Sequence, residues 1–168
     1  IEYNTRFPEM LMGDIEAQLG GCAMGCRMVA DIAGRYGPRV FRAAVETMWD
    51  HAEAVVRDAL RAAPDGEYRA ESFLDNDGVN LDETVPVRVS VRIEGENITV
   101  DFSGVSEQRP GPFNAGRNGG AVAAARIAMK YLFSPGQPVN EGDFRALQVE
   151  IPEGKFISAT GTTALGSS

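Results

Sequence analysis

The sequence predicts an α+β fold, and three observations carry that prediction. Apolar residues recur at helical spacing through the first third of the chain, up to Leu60. From Val85 to Ile93 the pattern becomes strict two-residue alternation, Val85, Val87, Val89, Val91 and Ile93 against Pro86, Arg88, Ser90 and Arg92. An Ala-rich stretch between Gly119 and Phe133 then returns to helical composition. With 168 residues and 43% hydrophobic content the chain can pack a core.

The first helix is expected over 14–36, with Ile15, Leu19, Cys22, Cys26, Val29, Ile32 and Ala33 on its buried side. Gly34 and Gly37-Pro38 mark its stop. A second helix is expected over 39–62, burying Val40, Phe41, Ala44, Val45, Met48, Ala52, Val55, Val56 and Leu60. Their short connection predicts an antiparallel helical hairpin over 1–64. Pro64-Asp65-Gly66 breaks the pattern. The remainder, 65–168, reads as an antiparallel sheet with one further helix. Its strands are Tyr68 to Leu74, Val85 to Ile93, Ile98 to Phe102 and Ala146 to Ile151. Gly95-Glu96 is a two-residue hairpin loop, because glycine at the first central position permits positive φ.

A formal net charge of −8 and a pI near 4.7 argue against a nucleic-acid surface, which needs clustered positive charge. The longest apolar run is too short to span a bilayer, and no signal segment opens the chain. Two cysteines make no disulfide framework and suit a reducing, cytoplasmic setting. The chain opens at Ile1 and stops at Ser168 directly after a strand-like segment, as expected of a piece of a longer polypeptide.

The candidate functional segment is the polar, Gly- and Pro-punctuated loop from Val100 to Asn114, hung between a strand and a helix. Asp101, Ser106 and Gln108 offer a carboxylate, a hydroxyl and an amide as catalytic candidates; no histidine stands near them to complete a serine triad. The alternative is that these polar groups satisfy backbone in the turns at Ser103-Gly104 and Pro110-Gly111. Asn114 to Gly120 precedes a helix and resembles an anion nest without the lysine of a nucleotide loop. Arg117 there pairs with a substrate carboxylate or sits in solvent. Near the start, Asn4 and Arg6 supply an amide and a guanidinium that can hold a carboxylate or polarised carbonyl. Asp14 is placed equally well to cap the first helix.

Asp75-Asn76-Asp77-Gly78 starts like a calcium loop, but the position of the bidentate Glu falls at Pro86, so a turn is the better reading. The single histidine, His51, cannot build a typical zinc site, and no metal ligands are assigned. Cys22 and Cys26 are expected to fill core space.

Taken in order, the motifs resemble the hydantoinase B/5-oxoprolinase family. They are Asn4-x-Arg6-x-Pro8, Gly13-Asp14-Ile15-x-Ala17-Gln18, Arg35-Tyr36-Gly37, Pro64-Asp65-Gly66-Glu67-Tyr68 and Leu74-Asp75-Asn76-Asp77-Gly78. Val100-Asp101-Phe102-Ser103-Gly104, Gly111-Pro112-Phe113-Asn114, Pro138-Val139-Asn140-Glu141-Gly142 and Pro152-Glu153-Gly154 complete the set. The resemblance implies a fragment of a subunit of an ATP-dependent cyclic-amide hydrolase, opening a hydantoin, 5-oxoproline or lactam ring. It also implies a hydantoinase A-type partner that binds ATP with magnesium, and places any divalent-metal site upstream of these residues. Asn4, Arg6, Asp14, Gln18 and Asn114 become substrate-binding candidates, beside Asp101, Ser106 and Gln108 as catalytic ones. The alternatives are a subunit of a ketone carboxylase of the acetone or acetophenone type, or an assembly module without chemistry of its own.

Overall fold

The computed structural model describes residues 5–166. The chain divides into two compact units, Ile1–Thr47 and Met48–Ser168, and the second helix runs from one into the other.

Helix α1 spans Pro8–Tyr36. Proline at the first helical position needs no N–H and has its φ already set, so the helix starts there rather than at Asp14. Asp14 therefore lies inside α1 and does not cap it, which corrects the capping expectation. Gly37, with φ 84°, ends the helix. No residue of α1 is buried: Leu19 is 66% exposed, and Cys22 and Cys26 are free and exposed rather than core-filling. An apolar stripe is buried only where a second element lies on it, and the described part of this unit adds only the first turns of α2.

Helix α2 spans Pro38–Ala62. Its buried residues are Ala52, Val56 and Leu60, one turn apart on one face and all in the second unit. Val40 and Met48, expected on the buried side, are exposed.

The second unit is built on a four-stranded sheet in the order β1-β2-β3-β4: Gly66–Leu74, Val85–Glu94, Asn97–Asp101 and Leu147–Glu150. β1 to β3 run antiparallel, and Gly95 at φ 61° turns the β2–β3 hairpin as its sequence demands. β4 departs from the all-antiparallel expectation by pairing parallel to β3, Ile98 beside Leu147 and Asp101 beside Glu150. The cause is the segment between them. A π-helical turn at Asn118–Val122 and helix α3 at Ala123–Phe133 form the crossover that joins parallel neighbours.

Alternation sorts the sheet into two faces. Val85, Ile93, Ile98, Val100 and Phe102 join Val56 and Leu60 of α2 and Ala121, Ala125 and Met129 of the α3 region in one buried cluster. Each fully buried large aliphatic side chain there contributes about 1.5–3 kcal/mol. The opposite face carries Glu67, Arg69, Glu71, Arg88, Ser90, Arg92, Thr99, Asp101, Gln148 and Glu150.

Candidate functional site

The polar face positions Asp101. It ends β3, faces Ser90 across the β2–β3 ladder and lies beside Glu150 of β4. Its Oδ1 accepts the Ser103 N–H at 2.7 Å, the Asx turn that carries the chain off the strand. Asp101 lines two adjoining depressions on this face. One of about 470 Å³ is also lined by Glu67, Arg69, Glu71, Arg88 and Ser90. The other, about 210 Å³, adds Arg92, Thr99 and Glu150. Glu67 holds Arg69 and Glu71 holds Arg88, each at 2.8 Å. Both pairs are solvent-exposed and contribute at most about 1 kcal/mol.

The rest of the central loop is held from within. Ser106 donates its Oγ–H to the Pro86 carbonyl at 2.8 Å. The Gln108 side chain donates to Thr163 Oγ1 and accepts the Thr160 N–H, both at 3.0 Å, pinning the C-terminal segment to the loop. Asn114 is fully buried. Its Oδ1 accepts the Arg109 N–H at 2.7 Å, and its Nδ2 donates to the carbonyls of Arg109, Gly111 and Ala164 at 2.8, 2.8 and 3.1 Å.

A second buried group, unremarked by the sequence, ties this loop to the turn after β1. Asp77 is 0% exposed. Its Oδ1 accepts from the Val79 and Asn80 backbones at 2.9 and 2.7 Å, and its Oδ2 accepts from Arg109 Nε at 3.0 Å. The Asn80 and Val79 N–H groups and then Arg109 outweigh desolvation and lower its pKa to about 2. Arg109 also reaches Glu83 at 3.1 Å. Gly111 passes so close that a Cβ there would overlap the Asp77 carbonyl oxygen. Asp75 to Gly78 is thus a turn, as its sequence implies. The signal for its burial was a pair of glycines, Gly78 and Gly111, in two separate polar loops.

A third cluster fastens α3 to the sheet's entry. The buried Asp143 accepts from Ser134 Oγ at 2.7 Å, Lys130 Nζ at 2.9 Å and the Asn140 N–H at 2.9 Å. Desolvation raises its pKa, but these three donors, Asn140 foremost, leave it lowered. Arg117 donates to the Ile151 and Val149 carbonyls at 3.0 and 3.2 Å.

Of the N-terminal candidates, Arg6 is exposed ahead of α1, and Asp14 and Gln18 are exposed one turn apart on it. They belong to the other compact unit. Asn4 lies outside the described residues. Among the described residues no three His, Cys, Asp or Glu side chains stand together to hold a metal ion. No helix among them is long and apolar enough to cross a membrane.

The family model for hydantoinase B/oxoprolinase matches residues 1–168, so the chain belongs to that family. A putative D-/L-hydantoinase component from Pseudomonas sp. (strain NS671), the one of hydantoinase B type, is 31% identical over 92% of this chain and 28% of its own length. The crystal structure of the ATP-dependent caprolactamase from Pseudomonas jessenii superposes with a TM-score of 0.84 at 26% identity, covering 99% of this chain and 28% of that one. Nucleotide-free acetone carboxylase shares the fold with a TM-score of 0.74 at 19% identity, over 94% of this chain and 22% of the other. The chain therefore spans about a quarter of the length of these relatives.

Proposed function

We propose that the intact polypeptide is a subunit of a cytoplasmic, ATP-dependent cyclic-amide hydrolase that opens a hydantoin, 5-oxoproline or lactam ring, with ATP and magnesium bound by a hydantoinase A-type partner. The observation that carries this reading is family membership joined to fold agreement with an ATP-dependent caprolactamase over 99% of the chain. An unstrained amide is a poor electrophile, and phosphorylation of its oxygen, supplied by the ATP-binding partner, converts that oxygen into a leaving group.

In this reading the polar sheet face borders the reacting centre, and Asp101 is the catalytic candidate. One of its oxygens is fixed by Ser103, while the other makes no hydrogen bond among the described residues and lines the open depression. A carboxylate so oriented can accept the proton of an attacking water. Arg69 and Arg88 beside it can hold an anionic group through charge-assisted hydrogen bonds. Ser106, Gln108 and Asn114 act as positioning residues, since their polar atoms already hold the loop and its neighbours. Asn4, Arg6, Asp14 and Gln18 are assigned to substrate binding through the family motif they match. No step is routed through a metal held by these residues.

Ketone carboxylation is the second reading, favoured by the fold shared with acetone carboxylase. ATP turnover by the intact complex separates the two. Stimulation by hydantoins, 5-oxoproline or lactams is expected; stimulation only by a ketone with bicarbonate would overturn the hydrolase assignment.

A further inference from the structure

The two outer edges of the sheet are finished differently. β4 is four residues long, and β3 takes the Ala146 and Glu150 carbonyls, so those of Val149 and Ile151 point outward. Arg117 lies across these two and occupies acceptors that a further strand would need. β1 has no such cover. It is nine residues long, pairs with β2 without a bulge from Gly66 to Leu74, contains no proline and is exposed at every position. Among the described residues its other edge has no strand neighbour. A long, regular, open edge is a template for strand addition.

The charges of β1 select the occupant. Glu67, Arg69 and Glu71 alternate in sign along its polar face. We infer that β1 pairs antiparallel with β1 of a second copy of this chain, about a two-fold axis at Ala70. In that register Arg69 lies opposite Glu71 of the second copy, and Glu71 opposite its Arg69. Ala70 meets Ala70, Tyr68 meets Ser72, and all nine residues are paired. Centring on Arg69 instead sets Arg69 against Arg69 and Glu67 against Glu71, both repulsive. Centring on Tyr68 restores opposite charges but pairs only residues 66–70 of the strand. The Ala70 register alone combines full-length pairing with complementary charge, and the interface is isologous. The two four-stranded sheets then become one continuous sheet, and their polar faces form a single surface.

The test uses the full-length chain with Cys22 and Cys26 changed to Ser. Ala70→Cys sets two thiols across the axis at a Cβ separation of about 4.5–5.5 Å, near disulfide reach. Mild oxidation is expected to give a covalent species of twice the monomer mass. Glu67→Cys, opposite Phe73, is expected to give at least tenfold less. Arg69→Glu added to Ala70→Cys should cut the cross-linked fraction at least tenfold, and Arg69→Glu with Glu71→Arg should restore it. A folded Ala70→Cys chain that stays uncross-linked, or cross-linking indifferent to charge reversal, overturns the inference. So does hydrogen-exchange protection of the 66–74 outer-edge amides in a chain that light scattering shows to be monomeric, which would assign the edge to a strand of its own polypeptide.

Discussion

Asp101 and Asn114 bound the same loop, and the protein treats them in opposite ways. Asn114 is 0% exposed, and its side chain makes four hydrogen bonds to backbone groups. Asp101 makes one hydrogen bond to its own turn and presents the rest of its carboxylate to an open depression beside arginines and a serine. A buried, fully satisfied polar group specifies shape, because removing it strands its partners. A half-satisfied carboxylate on a rigid strand is available for chemistry. Polar residues a dozen positions apart thus divide into those that hold the loop and those that face what comes to it.

The largest effect expected on this contrast is from Asn114→Ala. It strands the Arg109 N–H and the carbonyls of Arg109, Gly111 and Ala164, and with about 1–3 kcal/mol for each unsatisfied buried group, a loss of about 3 kcal/mol or more is expected. Hydrogen exchange across residues 103–116 of the intact polypeptide should accelerate accordingly. Unchanged protection would mean that the loop is held elsewhere.

A smaller effect is expected from acid. The carboxyl of Asp77 has a pKa lowered from 3.8 to about 2 in the folded chain, so its stabilising contribution is complete above pH 3.8 and is lost as pH falls through about 2. Asp77→Asn should remove that pH dependence from the exchange rates of the Val79 and Asn80 amides. The smallest effect is expected from Arg88→Ala. It breaks only an exposed pair with Glu71, and stability should move by no more than about 0.5 kcal/mol in thermal unfolding. A large loss there would erase the distinction between the open face and the buried hub.

Much of the fold was legible because its signals were local. The Val85–Ile93 alternation, the Gly95 turn and the breaker at Pro64-Asp65-Gly66 each specify local backbone and lead to β2, the hairpin and β1. The parallel seat of β4 was not legible, since alternation is the same for parallel and antiparallel partners and only the α3 crossover decides between them. Nor was the burial of α1: helical spacing reports a stripe, not whether anything covers it, so Leu19, Cys22 and Cys26 read like Val56 and Leu60 and yet are exposed. At the candidate site the sequence marked the loop but could not sort its members. Asp101, Gln108 and Asn114 are equally polar on paper. Their division follows from pairings with Thr160, Ala164 and Ser90, residues far off in sequence. The Asp77–Arg109 pair, 32 positions apart, was hidden for the same reason.

The central claim is that Asp101 faces the chemistry while Asn114 and its neighbours hold the loop. Asp101→Asn tests it most directly, because the amide oxygen can still accept the Ser103 N–H and keep the turn, while the basic carboxylate is removed. In the intact, ATP-coupled complex, amide-stimulated turnover should fall at least about 100-fold, within the range set by removing a general base, with the melting temperature unchanged. Turnover that survives Asp101→Asn in a normally assembled complex would contradict the account and leave this face a structural surface.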